Sequence, residues 1–428
     1  MQLDGTIVAL SSGRPPSAIA IVRTSGPEAV ALAASFGVTG LTPRRASLRR
    51  LVSPVDGALL DRAVCVHFPG PETSTGEDIV EFHCHGSPAV VERVLADAVT
   101  LSGVRMAEPG EYTLRAVLNG RMGMADAEAL ADLIEARTEG ERRRALRLSE
   151  GALSVRVAEW RARLIGLLAD AESRLDFADE GDVPDDLTDL AGRCDALARE
   201  IATVLSDSSD ADKLTDGFHI VLTGSPNAGK SSLINALTAR EAAIVTPEAG
   251  TTRDVVAVTI DLGGYKVTLE DTAGLRDGAT GVEAIGIART RERIARADLV
   301  IAVISPDTRA TDVPADLVVH HKADLGGPAG ALATSIADPG SIDRLRDLLR
   351  QRVAEAMRPA EAALVTRARQ RSALGACVAR LTDAAGEGQL ELQAEALRLA
   401  CYEMARMTGD IGIEDVLDDV FGRFCIGK

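Results

Sequence analysis

Gly224-Ser225-Pro226-Asn227-Ala228-Gly229-Lys230-Ser231 decides how the middle of this chain folds. It has the G-x-x-x-x-G-K-S form of a phosphate loop. The apolar run Phe218–Thr223 in front of it reads as a strand, and residues 232–238 behind it read as a helix. In that context the main-chain N–H groups of the loop face an anion at the helix N-terminus. Lys230 then reaches the β- and γ-phosphates of a nucleotide, and the Ser231 hydroxyl ligates Mg²⁺. A glycine-rich turn that merely capped a helix would have no use for lysine and serine together.

A second element points the same way. Asp271-Thr272-Ala273-Gly274 follows the apolar residues 267–269. An Asp at a strand end holds the Mg²⁺ shell, and the following Gly offers its N–H to the γ-phosphate, a pattern typical of GTPases. Between the two lies Gly250-Thr251-Thr252-Arg253-Asp254, whose Thr252 is a candidate second Mg²⁺ ligand when triphosphate is bound. GTPases usually read the base with Asn-Lys-x-Asp after a later strand. Here the strand is 317–320 and the motif reads His321-Lys322-Ala323-Asp324. Asp324 accepts from the guanine N1–H and N2–H₂, which adenine lacks. His321 replaces the Asn that contacts the base and braces the loop, so guanine preference with weaker affinity is expected. Ser335-Ile336 is the expected last base-contacting turn. Leu275 stands where many small GTPases place the Gln that orients the attacking water, so another group must do that work. Arg253 and Arg276 are candidates for an arginine finger by location only.

A length of 428 residues suggests roughly three domains. Apolar residues make up 46% and aromatic ones 3%, so Leu, Val, Ile and Ala must fill the cores. No apolar run approaches the ~20 residues of a membrane span, and no signal peptide is visible. Six scattered cysteines argue for reduced thiols and a cytoplasmic protein. A net charge of −17 speaks against nonspecific coating of nucleic acid. Basic clusters exist at Arg44-Arg45 with Arg49-Arg50, at Arg142-Arg143-Arg144 with Arg147, and at Arg367, Arg369 and Arg371. Each reads as a solvated helix face or as a nucleic-acid patch.

Residues 6–10, 18–23, 63–68 and 79–83 read as strands and 88–101 as a helix. From about 123 the pattern turns helical: Leu153, Val157, Trp160, Leu164, Leu168, Ala171 and Leu175 form one apolar stripe. An acidic stretch, 176–186, with Pro184 ends that helix. Residues 215–358 alternate strand and helix, which predicts a mostly parallel sheet. The interval between strand 299–305 and the strand at Leu317 is too short for an ordinary crossover, so its helix is expected to be missing or reduced to a turn. Residues 362–422 are helical again, with Leu374, Cys377, Leu381, Leu390, Leu397, Ala400 and Met404 suited to a bundle. The two helical stretches are expected to pack together around an inserted domain. His83-Cys84-His85 invites a zinc reading but lacks further ligands, and reads as strand. The terminal Phe424-Cys425-Ile426-Gly427-Lys428 is either a tail or a placed thiol; it fits a prenylation box poorly.

Taken together, these motifs resemble those of the MnmE (TrmE) tRNA-modification GTPases. The resemblance runs through Asp4-Gly5-Thr6-Ile7-Val8-Ala9, Ile21-Val22-Arg23, Ser25-Gly26-Pro27, Thr75-Gly76-Glu77-Asp78 with Glu81 and His85-Gly86, Pro109-Gly110-Glu111-Tyr112-Thr113, and Leu118-Asn119-Gly120-Arg121. It continues through Pro226-Asn227-Ala228-Gly229-Lys230-Ser231-Ser232, Gly250-Thr251-Thr252-Arg253-Asp254, Asp271-Thr272-Ala273-Gly274-Leu275-Arg276 and the terminal Cys-Ile-Gly-Lys. The fold class it implies is multidomain, α/β plus all-α. An N-terminal α/β folate-binding and dimerisation domain (1–120) is followed by a helical domain in two parts (121–214 and 361–428). A Ras-like P-loop GTPase domain with a mostly parallel sheet (215–360) is inserted between them.

The resemblance further implies a homodimer that joins an FAD-dependent MnmG-type partner in a heterotetramer. Together they modify C5 of uridine 34 of certain tRNAs, with no membrane involved. A tetrahydrofolate derivative (5-formyl- or methylene-tetrahydrofolate) would supply the one-carbon unit. It would be held by Arg23, Glu81, Arg121, where relatives often have Lys, and Lys428. Arg23 and Glu81 read on their own as a strand-face ion pair. Cys425 would act in catalysis. GTP and its switches would involve residues 227–232, Thr246, Glu248, Gly250, Thr251, Thr252, residues 271–274, His321, Lys322 and Asp324. K⁺, held by Asn227 with Thr246, Glu248 and Thr251, would stand in for an arginine finger. Glu283 would position the water through a bridging water. Two other readings remain: a GTP-switched ribosome-assembly or RNA-binding protein without modification chemistry, and a degenerate member that binds nucleotide poorly through His321, Ile336 and the short segment 306–316.

Overall fold

In the computed structural model, residues 4–176, 187–239, 257–271, 292–308, 314–326, 332–408 and 427 are described. They divide into two compact units. One comprises residues 1–131, 148–194 and 379–428; the other comprises 132–147 and 195–378.

The first unit is built on alternating apolar residues. β1 (Thr6–Leu10), β2 (Ser17–Ser25), β3 (Ser47–Val52), β4 (Leu59–Phe68), β5 (Ile79–Gly86) and β6 (Val104–Met106) form one sheet in the order β3-β4-β5-β2-β1-β6. Every pairing is antiparallel except β1 with β6. One face buries Val8, Val22, Leu51, Val80, Phe82 and Cys84 against α1 (Ala29–Ser35) and α2 (Pro88–Ala98). On the other face Ile7 and Ala9 pack with Ala107 and with Tyr112 of α3 (Glu111–Leu118). β3, β6, α1 and α3 add to the elements expected from sequence. β3 carries Arg49 and Arg50, and its charge hid its strand pattern.

Several resemblance motifs prove to be one buried polar network. Ser25 Oγ lies 2.7 Å from Thr75 Oγ1 and donates to Glu77 at 2.7 Å. Arg115 spans Glu77 (2.9 Å) and Glu111 (3.0 Å), and Asn119 donates to the Thr75 carbonyl at 2.6 Å. Burial pushes the Glu111 carboxyl up, but hydrogen bonds from Arg105, the Glu108 N–H and Arg115 outweigh it and hold it low. A buried acid of this kind is tolerable only when every lone pair finds a donor.

The helical part of this unit follows the apolar stripe. α6 (Ala152–Asp176) packs along the last described helix, residues Leu390–Thr408, with Arg398 bonding Glu172 at 3.1 Å. Leu153, Val157, Trp160, Leu164 and Ala171 are buried as expected. Of the two remaining positions, Leu175 is half-buried, and at the other Leu167, not Leu168, turns inward, because 160, 164, 167 and 171 keep the 3.6-residue period. α6 is described as far as Asp176; the rest of the acidic stretch expected to end it, 177–186, lies outside the described residues.

The second unit holds a sheet in the order β12-β11-β10-β7-β9-β8. Its strands are β7 (Phe218–Thr223), β8 (Ala257–Asp261), β9 (Lys266–Asp271), β10 (Leu299–Ile304), β11 (Leu317–His321) and β12 (Leu332–Thr334). All neighbours are parallel except β8 with β9. The described residues between β10 and β11 (305–308 and 314–316) contain no helix; residues 309–313, where the expected missing or reduced helix would fall, lie outside the described residues.

Two basic clusters in this unit serve its own structure. Arg143 meets both oxygens of Glu361, at 2.7 and 3.0 Å, and Tyr265 donates to Glu361 at 2.5 Å. Arg142 pairs with Glu139, Arg147 donates to the carbonyls of Glu361 and Ala363, Arg367 pairs with Asp132, and Arg371 with Asp212. Arg144 is buried and donates to the Ala211 carbonyl.

Leu167→Ala should lower stability by about 2–5 kcal/mol, as for a buried leucine. Leu168→Ala should cost clearly less; urea unfolding of the two variants side by side checks this.

Candidate functional site

The nucleotide site is assembled by strand ends. β7 runs directly into the loop 224–229, and helix α9 (Lys230–Thr238) starts at the lysine. Gly224 has φ +148°, and a side chain there would sit 2.3 Å from the Val303 carbonyl. Lys230 is 4% exposed, and its Nζ donates to the carbonyls of Gly224 (2.9 Å) and Ser225 (3.1 Å). The ammonium is thus held inside the loop that would cradle phosphates. The register of β7 with β9 sets Leu222 beside Asp271. Ser231 Oγ donates to Asp271 Oδ2 at 2.6 Å. A hydroxyl and a carboxylate oxygen, the donor types Mg²⁺ takes, therefore meet beside Lys230.

The residues expected to read the base come from the ends of β11 and β12. β11 runs one residue further than expected, so His321 is its last residue, 2% exposed. His321 Nδ1 lies 3.0 Å from Thr334 Oγ1. Its ring edge faces Gly229, where a Cβ would lie 2.4 Å from His321 Cδ2. His321 therefore does brace the phosphate loop, by packing. Lys322, at φ +58°, donates to the Asn227 carbonyl at 2.8 Å and to Asp307 at 2.9 Å. Asp307 is held at about 2, chiefly by Ser305 and then by Lys322. Asp324 is exposed and accepts from Ser335 Oγ, whose bond is the main cause of its lowered pKa. The Ser335 turn thus stands next to Asp324, where a last base contact was expected. Asp307 and Thr334 had no motif to reveal them.

The second candidate group lies in the first unit. Arg23 and Glu81 are register partners on β2 and β5. Arg23 Nε (2.9 Å) and its terminal nitrogen (2.8 Å) both meet Glu81 Oε1. Glu81 Oε2 lies 2.9 Å from His83 Nε2. The Arg23 guanidinium lies 5.8 Å from the centre of the Tyr112 ring, and Tyr112 donates to the Arg23 carbonyl at 2.5 Å. The strand-face ion pair is real, and His83 and Tyr112 extend it. Arg121 bonds Glu72 at 3.1 Å. In the His83-Cys84-His85 run, Cys84 points into the core, its thiol pushed up to about 12 by burial. His85 bonds Asp61 at 2.7 Å.

Asn227 is exposed in a left-handed turn, φ +65°. Thr246, Glu248, Gly250, Thr251, Thr252, Arg253, Thr272, Ala273, Gly274, Leu275, Arg276, Glu283, Cys425 and Lys428 lie outside the described residues, as does the acidic stretch 177–186. Gly427 is described. Its carbonyl accepts from Ser11 Oγ at 2.8 Å beside the end of β1.

Burial, and then the neighbouring Lys322, push the His321 pKa below 6.5, with Asp324 opposing. The unfolded chain then binds more protons at this position, so stability is full above about pH 6.5 and falls as pH drops toward the depressed value. His321→Asn should flatten that acid-side loss. Urea unfolding at pH 7.5 and 5.5 checks it: the wild type should lose more stability between the two than the variant.

Comparison with known proteins agrees with this geometry. Residues 6–121 match the family described as GTP-binding protein TrmE N-terminus, and residues 124–425 match the MnmE helical domain. A tRNA modification GTPase MnmE of Methylobacterium radiotolerans is 50% identical over 442 residues, covering 100% of both chains. That of Azorhizobium caulinodans is 48% identical over 433 residues, covering 99% of each, and that of Parvibaculum lavamentivorans is 45% identical over 438 residues, covering 99% of this chain and 100% of the other. With matches along its whole length, a phosphate loop held as described and a parallel sheet behind it, the chain belongs to the MnmE family of tRNA modification GTPases.

Proposed function

We propose that the chain hydrolyses GTP with K⁺ stimulation as a homodimer. With an FAD-dependent MnmG-type partner it would modify C5 of uridine 34 of certain tRNAs. The observation that carries the GTP half is the Ser231–Asp271 contact beside the buried Lys230. These oxygen donors suit Mg²⁺, with Thr252 completing the set when triphosphate binds. Asp324, paired to Ser335, reads the guanine edge. The exposed Asn227 side chain supplies one K⁺ ligand, and Thr246, Glu248 and Thr251 the others. K⁺ would neutralise charge developing between the phosphates. Glu283 orients the water that Leu275 cannot.

The one-carbon half rests on the Arg23–Glu81–His83 cluster. A carboxylate held from both sides can accept the N–H edge of a pterin, and the nearby cations can meet the folate carboxylates. These residues fit a tetrahydrofolate derivative, which supplies the one-carbon unit when bound. Arg121, Lys428 and the Cys425 thiol join them in this reading, and residues 1–120 form the folate and dimerisation domain.

Steady-state GTP hydrolysis in KCl against NaCl at equal ionic strength tests the proposal. Turnover should be faster in K⁺ by on the order of a hundredfold. Asn227→Ala should erase the difference, and Glu283→Ala should lower the rate in both salts. Equal rates in the two salts would refute the K⁺ assignment.

A further inference from the structure

Many of the described arginines on this acidic chain are paired with acids. In the second unit's clusters Arg142, Arg143, Arg367 and Arg371 pair with Glu139, Glu361, Asp132 and Asp212. In the first unit Arg23, Arg93, Arg105, Arg115 and Arg121 each meet a carboxylate. The ribbon of β3 and β4 differs. Arg45, Arg50 and Arg62 are exposed, and no carboxylate partner is found for them or for the half-buried Arg49 among the described residues. Arg50 and Arg62 are direct register partners, two like charges side by side on adjacent strands. Such a pair is destabilising in the free sheet. The Arg44 guanidinium, just before β3, bonds the Glu72 carbonyl rather than a carboxylate and lies over the Phe68 ring, 5.9 Å from its centre. Among the described residues β3 is also the edge strand of its sheet.

An arginine pair left without acids on a chain of net charge −17 is the local reverse of the protein's overall field. Guanidinium groups suit phosphate oxygens, which accept two N–H bonds at once. We propose that the β3–β4 ribbon, through Arg45, Arg50 and Arg62, is the surface on which this chain receives the phosphate backbone of its RNA. The proposal rests on the tRNA reading above and adds where the tRNA sits. The ribbon positions the RNA and reads no sequence, because phosphate contacts carry none. Its local charge explains how a chain acidic overall can hold a polyanion.

The test is binding of the full-length chain to an unmodified tRNA transcript carrying uridine 34, by fluorescence anisotropy over a range of KCl concentrations. Arg50→Gln/Arg62→Gln is compared with Arg142→Gln, which removes an already paired arginine. GTP turnover of each variant reports folding. The ribbon variant should bind tRNA on the order of tenfold more weakly, with a log-affinity against log-salt slope shallower by about 1.5, as for two lost phosphate contacts. Arg142→Gln should bind as wild type does. Unchanged affinity and slope in the ribbon variant would overturn the proposal. So would unchanged tRNA binding with a shifted monomer–dimer equilibrium, which would make the ribbon a contact between copies, or with new aggregation, which would leave the arginines as guards of an edge strand. If the wild-type chain itself shows no salt-sensitive tRNA binding, the tRNA reading falls along with this inference. If the wild type binds and the ribbon variant matches it, only the inference falls.

Discussion

Gly229 has no room for a side chain, and the nucleotide site depends on that. Its φ of +94° lies in the left-handed region, and the His321 ring edge occupies the space a Cβ would need. His321 is fixed by Thr334 on the next strand, and Lys322 reaches back to the Asn227 carbonyl. Two contacts therefore tie the loop that would hold phosphates to the loop that would read the base. Substituting His for the usual Asn keeps the two loops joined by a different means, ring packing plus one hydrogen bond. The imidazole is also a buried group whose charged form is disfavoured, so this joint is sensitive to acid in a way that an amide would not be.

A second constraint fixes the hairpin of β8 and β9. Gly140 donates to the Gly264 carbonyl at 2.8 Å, and a side chain at Gly140 would meet the Tyr265 ring at 2.8 Å. Tyr265 bonds Glu361, which Arg143 grips with two nitrogens. A hydrogen bond to a buried or half-buried charge of this kind contributes about 1.5–3 kcal/mol. One end of β9 is thus clamped by helical residues of the same unit, and the other end delivers Asp271 to Ser231. Arg143 works in this clamp, and Arg142 and Arg147 bond protein groups beside it. That cluster is taken up by the protein itself, while the β3–β4 ribbon carries exposed arginines with no carboxylate partner among the described residues.

Much of this was legible in the sequence because the signals were local. The phosphate loop, the strand Phe218–Thr223 in front of it, β1, and the parallel sheet follow from short patterns with fixed spacing. The shortness of the interval between β10 and β11 was readable from chain length alone, and its described residues, 305–308 and 314–316, hold no helix. The helical stripe was readable except at two positions: Leu175 is only half-buried, and counting by four chose Leu168 where the true helical period buries Leu167. What was not legible is tertiary. No spacing announces that His321 packs on Gly229, that Thr334 braces it, or that Glu361 collects Arg143 and Tyr265 from distant segments. Glu77 and Glu111 stand in motifs of the family resemblance, yet through Arg115, which no motif marked, they bond chiefly within the protein. Arg23 and Glu81 read as an ion pair or as ligand contacts, and the geometry supports the pair while leaving its face open beside His83.

The central claim is that Asp324 reads guanine although His321 has replaced the usual asparagine. It is tested most directly by equilibrium competition of GDP, ADP and xanthosine diphosphate for the wild-type chain and for Asp324→Asn. Xanthine carries a carbonyl where guanine carries its amino group, so an asparagine amide can donate where the aspartate accepted. The account predicts that the wild type prefers GDP and that Asp324→Asn prefers xanthosine diphosphate. Equal binding of ADP and GDP by the wild type, or an unchanged preference in Asp324→Asn, would contradict it.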